Sequence, residues 1–311
     1  MPAAPSDNAD TDVGTLVKGV LLVIAATFAF ALADMLIKYL AQTHPVPLVM
    51  AVRYGVNVIF LLVLLWPKHR SAIWHANRKW LSYGRGLCLF TASLCMGLGI
   101  RTVPLAEATA IVYLSPFAVI LLSQIVLGER VGIAAWLGAI VGFSGVLLIA
   151  RPGGGLDPVG VLFLFGNAAM ATIYQLTTRF LTRTESTVSM TFTTALVGAV
   201  AFPILAIPDM ASADIGLRDA GLMILLGISA AVGHLLFTAA YREAPASLLA
   251  PVNYAHLVWA GGFGWLVFSQ LPDMVSIAGM IVIAVSGASI TVYAHLKQKG
   301  KGLRLPRRIP D

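Results

Sequence analysis

The sequence predicts an all-α membrane protein of ten transmembrane helices, built as two five-helix repeats of inverted topology, and three observations carry that prediction. The 311 residues are 58% hydrophobic and only 11% charged, whereas soluble domains are about 45–50% apolar and about 25% charged. Apolar stretches of roughly 20 residues recur along the chain, the length needed to span a hydrocarbon core of about 30 Å. The chain also aligns with itself at an offset of 141 residues, without a gap until the last stretch.

Charges, prolines and glycines delimit the ten stretches at 17–40, 45–66, 80–101, 104–127, 131–150, 158–181, 186–207, 218–241, 245–269 and 274–296. Residues 1–16 are polar and acidic. They lack the basic region and cleavage site of a signal peptide and read as a disordered leader, so the first stretch is a retained span. The second and third are separated by Lys68, Arg70, Arg78 and Lys79, and the third closes at Arg101. Pro104 opens the fourth, and the Gly128-Glu129-Arg130 turn separates it from the fifth, which ends before Arg151-Pro152. Pro158 opens the sixth, Arg179 and Arg183 close it, and Pro208 follows the seventh. The eighth lies between Arg218 and Arg242, Pro245 opens the ninth, and Gln270-Leu-Pro-Asp273 precedes the tenth. The first repeat covers 17–155, the second 156–296, and 297–311 form a basic tail.

Ten spans place both termini on one side. On that side the loops and tail carry fifteen Lys and Arg, against four on the other, Lys38, Arg101, Arg151 and Arg218. The positive-inside rule makes the terminal side cytoplasmic, in a bacterial inner membrane. The net charge of +7 sits in these loops and the tail, with no basic face interleaved with aromatics, so nucleic acid is excluded as a partner. Membrane lipid and a small molecule are the expected partners. Cys88 and Cys95 lie seven residues apart in one span, about 10 Å along a helix, and do not pair.

Repeat-related pairs include Gly19 with Gly160, Lys38 with Arg179, Gly86 with Gly227, Arg101 with Arg242, Pro104 with Pro245, Tyr113 with Tyr254 and Gly138 with Gly279. Ser144-Gly145 and Ser286-Gly287 match at 142 instead. An odd number of spans per repeat inverts the second copy across the bilayer. Secondary transporters use that architecture, binding substrate near the midplane where the copies meet.

The segments Pro104-Leu-Ala-Glu-Ala-Thr-Ala-Ile-Val-Tyr-Leu-Ser-Pro116, Leu127-Gly-Glu-Arg-Val131 and Gly142-Phe-Ser-Gly-Val-Leu-Leu-Ile-Ala-Arg-Pro-Gly153 resemble the first-repeat signature of the drug/metabolite transporter superfamily, EamA type. Within it the chain is similar to YddG-type exporters of aromatic and other neutral amino acids. Gln270-Leu-Pro-Asp273 stands in the second repeat where Gly-Glu-Arg would be. The resemblance implies a cavity surrounded by spans three, four, eight and nine with parts of one and six, and peripheral spans five and ten. Gly138-x-x-x-Gly142 and the glycines from Gly279 to Gly287 suit close helix contact, within the chain or at the face of a weak homodimer; otherwise the protein is a monomer.

Polar and aromatic groups deep in a span are costly in lipid unless they face a wet cavity or a partner. The substrate-binding candidates are therefore Tyr113 and Ser115 in span four, Asn253, Tyr254, His256 and Trp259 in span nine, His234 in span eight, Asn167 and Tyr174 in span six, and Ser93 in span three; Thr91, Gln175 and Ser229 lie within two turns of the midplane as well. Pro116 and Pro251, which remove backbone N–H groups, and Gly128 are the gating candidates. Of the carboxylates within spans, Glu107 suits the first turn after Pro104, and Asp34 lies one turn before Lys38 and pairs with it by spacing. Arg53 reads as structural, its charge reaching toward the interface. These placements point to facilitated diffusion or exchange, with His234 or His256 as fallback proton carriers. They argue against a multidrug exporter, which needs an anionic residue at mid-depth. Neither a Gly-x-x-x-x-Gly-Lys-Ser/Thr phosphate loop nor a His-Glu-x-x-His zinc site occurs in the sequence, so no ATP motor, metalloenzyme, metal or cofactor is expected.

Overall fold

The computed structural model describes residues 13–69, 77–127, 132–151, 155–181, 184–210, 214–243 and 249–300. The described residues are helical throughout: α1 (Val13–Leu40), α2 (Val46–His69), α3 (Lys79–Thr102), α4 (Leu105–Val112), α5 (Leu114–Leu127), α6 (Ile133–Ile149), α7 (Pro158–Leu181), α8 (Thr187–Met210) and α9 (Leu217–Glu243). A 3-10 segment (Ala250–Tyr254) leads into α10 (Ala255–Phe268), and α11 (Met274–Gly300) follows. Seven of these helices, counting α4 and α5 as one broken span, are long and apolar enough to cross a membrane, and Trp136–Ile149 and Met274–Ile290 form shorter apolar helices. Leu21, Ile59, Val63, Leu162, Ile204, Val258 and Leu266 expose more than half their surface. That outward apolar belt suits lipid as solvent.

Two spans are interrupted at repeat-equivalent places. Pro116 has no N–H for the Val112 carbonyl and its ring crowds that carbonyl, so α4 ends at Val112 and α5 restarts at Leu114. Tyr113 stands in the break, its N–H shared between Thr109 O at 3.3 Å and Ala110 O at 3.2 Å. The equivalent Tyr254 closes the 3-10 segment that carries Pro251.

Contacts between the halves recur when both residues are shifted by 141 positions. A Cβ on Gly86 would lie 2.7 Å from the Val197 side chain, and one on Gly227 would lie 2.6 Å from Val56. At one end of the bundle His44 Nε2 meets Asp219 Oδ2 at 2.7 Å, and Arg218 stacks over the Tyr39 ring. At the other end Glu185, the position equivalent to His44, accepts the N–H of Arg78, the position equivalent to Asp219, at 2.6 Å and the Asn77 N–H at 2.9 Å; Arg78, one position on from the counterpart of Arg218, stacks over Phe180, the equivalent of Tyr39. Each loop thus meets the start of a helix in the other half: Glu185 accepts two N–H groups left over there, and His44 pairs with the Asp219 carboxylate.

α6 and α11 pack as a pair through their glycines: Gly145 and Gly279 approach so closely that a Cβ on either would lie within 2.8 Å of the other's carbonyl oxygen. Ser286 Oγ donates to Gly138 O, and Gly142 receives the Phe117 ring. The small-residue faces are filled from within the chain.

Candidate functional site

The two helix breaks face each other. Tyr113 Oη donates to Asn253 O at 2.8 Å, and the Tyr113 and Tyr254 rings lie 5.2 Å apart. Tyr254 packs against Gly287, where a Cβ would collide with its phenol. Beside this junction lies a cavity of about 220 Å³ with six polar lining residues: Asp34 from α1, Thr109 from α4, Tyr113 from the break, Ser115 from α5, Gln175 from α7 and His256 from α10. Met96, Val112, Pro116 and Ala171 supply apolar wall. Both halves contribute.

Three contacts fix the polar groups. Gln175 Nε2 donates to Ser115 Oγ at 2.5 Å, joining α7 to α5 across the halves. Thr109 Oγ1 donates back to Leu105 O at 2.8 Å, so its hydroxyl keeps only lone pairs for a ligand. His256 Nε2 stands 3.2 Å from Asp34 Oδ2 without hydrogen-bond alignment, a distance at which a protonated imidazole forms an ion pair. The imidazole also lies near the rings of Tyr113 and Phe30, at centroid separations of 6.3 and 6.5 Å. The arrangement offers a negative charge, an imidazole, an amide and hydroxyls beside the Tyr113 ring and an aliphatic wall.

Asp34 does not pair with Lys38. The Lys38 ammonium, 1% exposed, donates to Ile100 O at 2.8 Å and Val103 O at 2.7 Å. The cause lies in the sequence, because the residue four after Ile100 is Pro104, which has no N–H to return. Lysine thus completes the end of α3, where a positive charge also meets the helix dipole, and Asp34 is left to the cavity. Glu107 occupies the first turn of α4, as its spacing predicts, and is 4% exposed. Arg53 stacks on Tyr54 and donates to Met50 Sδ at 3.6 Å.

Of the residues singled out from the sequence, Tyr113, Ser115, Pro116, Gln175 and His256 line the cavity, and Asn253 and Tyr254 adjoin it through Tyr113. The other substrate-binding candidates take part in helix contacts outside this lining. Ser93 Oγ shares a 2.7 Å hydrogen bond with Tyr54 Oη, and Asn167 Nδ2 donates to Ala92 O at 2.7 Å. Trp259 meets Phe28 edge to face at 5.3 Å, and His234 meets Phe30 at 5.0 Å. Tyr174 Oη accepts from Arg85 Nη2 at 2.6 Å. Pro251 lies in the 3-10 segment, and Gly128 falls outside the described residues. α9, the expected eighth span, contributes nothing to the lining of this cavity.

Sequence reasoning missed Asp34 as a cavity residue, and it missed Arg85. Arg85, 5% exposed, donates to Thr178 Oγ1 and Tyr174 Oη on α7 and to Met190 O and Thr194 Oγ1 on α8, at 2.6–3.0 Å. This buried cation binds the first half to the second. Two carboxylates at loop–helix junctions were also missed. Asp273 accepts the Ser276 N–H at 2.7 Å and pairs with Arg151 at 2.5 Å, and the two hold its carboxyl below the ordinary range. Asp157 is lowered likewise, first by the Thr102 hydroxyl and then by the Gly160 N–H. Aspartate just before the first turn was the available signal for both.

The chain matches the EamA-like transporter family twice, over residues 17–151 and again over 158–292. It is 29% identical to the pseudopaline exporter CntI of Pseudomonas aeruginosa over 280 residues, 87% of this chain and 95% of the relative. The S-adenosylmethionine uptake transporter of Rickettsia bellii is 26% identical over 228 residues, 72% of this chain and 76% of that protein. The riboflavin transporter of Vibrio cholerae is 26% identical over 297 residues, 91% and 95% respectively. One crystal structure shares the fold at a TM-score of 0.63 and 19% identity, covering 92% of this chain and 99% of its own. The two matched copies, spanning nearly the whole helical chain, make this protein an integral membrane transporter and not an enzyme, and it belongs to the EamA-like transporter family.

Proposed function

We propose that the protein is a secondary transporter of the bacterial inner membrane, with both termini cytoplasmic, whose two halves are five-span repeats of inverted topology, 17–155 and 156–296. They rock about the cavity between the breaks at Tyr113 and Tyr254, exposing it to each side in turn. The observation that carries this reading is the cavity itself, which sits where repeat-equivalent broken helices meet and is lined from both halves. Further support comes from the contacts that recur under the 141-residue shift at opposite ends of the bundle. The end caps are the contacts that must open in alternation.

Its substrate is a small amphipathic metabolite, for which the tyrosines supply an apolar face and Gln175, Ser115, His256 and Asp34 the polar partners. Aromatic and other neutral amino acids exported from the cell are the first class to test. A second reading has a specific observation behind it: Asp34 in the lining supplies the anionic group that an exporter of cationic compounds needs.

The test is counterflow in proteoliposomes across the amino acids, S-adenosylmethionine and riboflavin. At least one probe should exchange, with Tyr113→Ala and Gln175→Ala lowering its rate more than tenfold while folded protein is retained. Exchange indifferent to both substitutions would remove the cavity as the site.

A further inference from the structure

Asp34 is the one carboxylate that lines the cavity, and its charge has no cationic side chain bound to it among the described residues. The groups around it are otherwise occupied. On its own helix, Lys38 is engaged with two carbonyls of α3. From α4, Glu107 interacts with Ser276, Asp273 and Lys38, and from the break Tyr113 is bonded to Asn253 O. α3 presents Met96 to the cavity, while Cys95 lies against Gly166 of α7. His234 of α9 packs edge to face on Phe30 at 5.0 Å and is not part of the cavity lining. Arg53 of α2 is stacked on Tyr54, and Tyr254 of the 3-10 segment packs on Gly287. What faces Asp34 is His256 Nε2 at 3.2 Å.

The pair has two charge states. With the imidazole neutral it carries one negative charge, which is costly in a cavity surrounded by apolar protein and lipid unless a cation sits beside it. With a proton on Nε2 the pair is neutral. The two ways of filling the site are therefore a proton on His256 or a cationic nitrogen against Asp34, and each excludes the other by charge and by space. The Tyr113 ring in the lining suits the second occupant.

We propose that Asp34 and His256 form a shared cation site in the cavity, filled in turn by a proton and by the cationic nitrogen of the substrate, so that transport exchanges one ammonium-bearing molecule for one proton. On the substrate-loading side the ammonium displaces the proton from Nε2 to water; on the other side a proton enters Nε2 and releases the ammonium. Protons balance across the cycle; the exchange is electroneutral for a substrate of net charge +1 and moves one charge per cycle for a zwitterion. This rests on the cavity being the substrate site, and it replaces the expectation of facilitated diffusion drawn from the placement of Asp34 and Glu107 along the sequence.

The experiment uses the full chain in proteoliposomes with entrapped pyranine. Tryptophan, lysine and S-adenosylmethionine serve as ammonium-bearing probes, with riboflavin as the probe lacking one. An opposing gradient of about two pH units should drive accumulation of an exchanged ammonium probe toward about 100-fold, ten per unit, with matching proton movement in the pyranine signal. Asp34→Asn should lower that probe's flux more than tenfold, and Asp34→Glu should restore the gradient response; thermal melts of each variant establish that it is folded. His256→Gln, which cannot take up a proton, should abolish the response of flux to the imposed gradient. Wild-type flux indifferent to the gradient, exchange of riboflavin alone, or a folded Asp34→Asn that transports like wild type would each overturn the proposal. If Tyr113→Ala and Gln175→Ala still abolished counterflow in that case, the cavity reading would stand without the proton. If no probe exchanged at all, both would fall.

Discussion

Replacing Lys38 by methionine removes the ammonium that completes α3 and keeps the stem's bulk. Two carbonyls, Ile100 O and Val103 O, lose donors at 2.8 and 2.7 Å in a site that is 1% exposed, where water does not substitute. Interhelical hydrogen bonds in membrane proteins contribute about 0.6–2 kcal/mol each, and an orphaned buried carbonyl costs about 1–3 kcal/mol. Relief of the desolvation of a buried ammonium offsets part of this, leaving a net loss of about 2–4 kcal/mol. At about 2–4 °C per kcal/mol, the melting midpoint should fall by about 4–16 °C. The assay is built into the chain: Cys88 and Cys95 are unpaired thiols on α3 itself, half-buried in the fold, so a thiol-reactive fluorophore reads the opening of the helix that Lys38 braces. Lys18→Met is the control, since its pair with Glu243 is 63% exposed on the lysine side, and exposed pairs contribute about 0–1 kcal/mol. A Lys38→Met midpoint within about 2 °C of wild type would refute the completion of α3 by lysine.

Other outcomes follow from single contacts. Tyr113→Phe frees Asn253 O from its partner, a loss of about 1 kcal/mol, and should slow counterflow several-fold with a change in melting midpoint under about 3 °C. Glu185→Ala strips the acceptors from the Asn77 and Arg78 N–H groups; at about 1–2 kcal/mol for a lost cap, it should lower the midpoint by about 2–8 °C. For Asp273 the sign follows from a carboxyl held below its ordinary value of 3.8 by the Ser276 N–H and Arg151. Its stabilisation is complete above that value and is lost as pH falls through the lower value of the folded state. Asp273→Asn should therefore melt below wild type at pH 7, with the two curves converging on acidification below about pH 4.

Much of the fold was legible because lipid imposes simple rules. The runs bounded by Pro104, Pro158 and Arg218 reappear as helices, and the Tyr113 and Tyr254 pair, found by comparing the chain with itself, marks the two breaks that meet. Ser115, Pro116 and His256 reached the cavity for the same reason, since polar or kinked positions deep in a span seek a wet face. Ser93, Asn167 and Tyr174 obey that pressure equally well by bonding to neighbouring helices; residue type alone does not separate a lining from a helix contact. Asp34 was misplaced because spacing on one helix favoured Lys38, and the competing acceptor lay more than sixty residues away at Ile100. The proline at 104 carried the signal, since a carbonyl four residues before a proline needs a donor from elsewhere. Arg85 gave no local signal: its acceptors sit on two helices of the other half.

Rocking of the halves is tested most directly by tethering each end in turn. In a background with Cys88→Ser and Cys95→Ser, His44→Cys with Asp219→Cys joins the halves at one end, and Asn77→Cys with Glu185→Cys joins them at the other. A short bifunctional thiol reagent with a reducible linker then closes either tether in proteoliposomes already exchanging a probe. Each tether alone should stop net transport, and reduction should restore it. Undiminished flux through fully cross-linked protein at either end would contradict alternating exposure of the cavity.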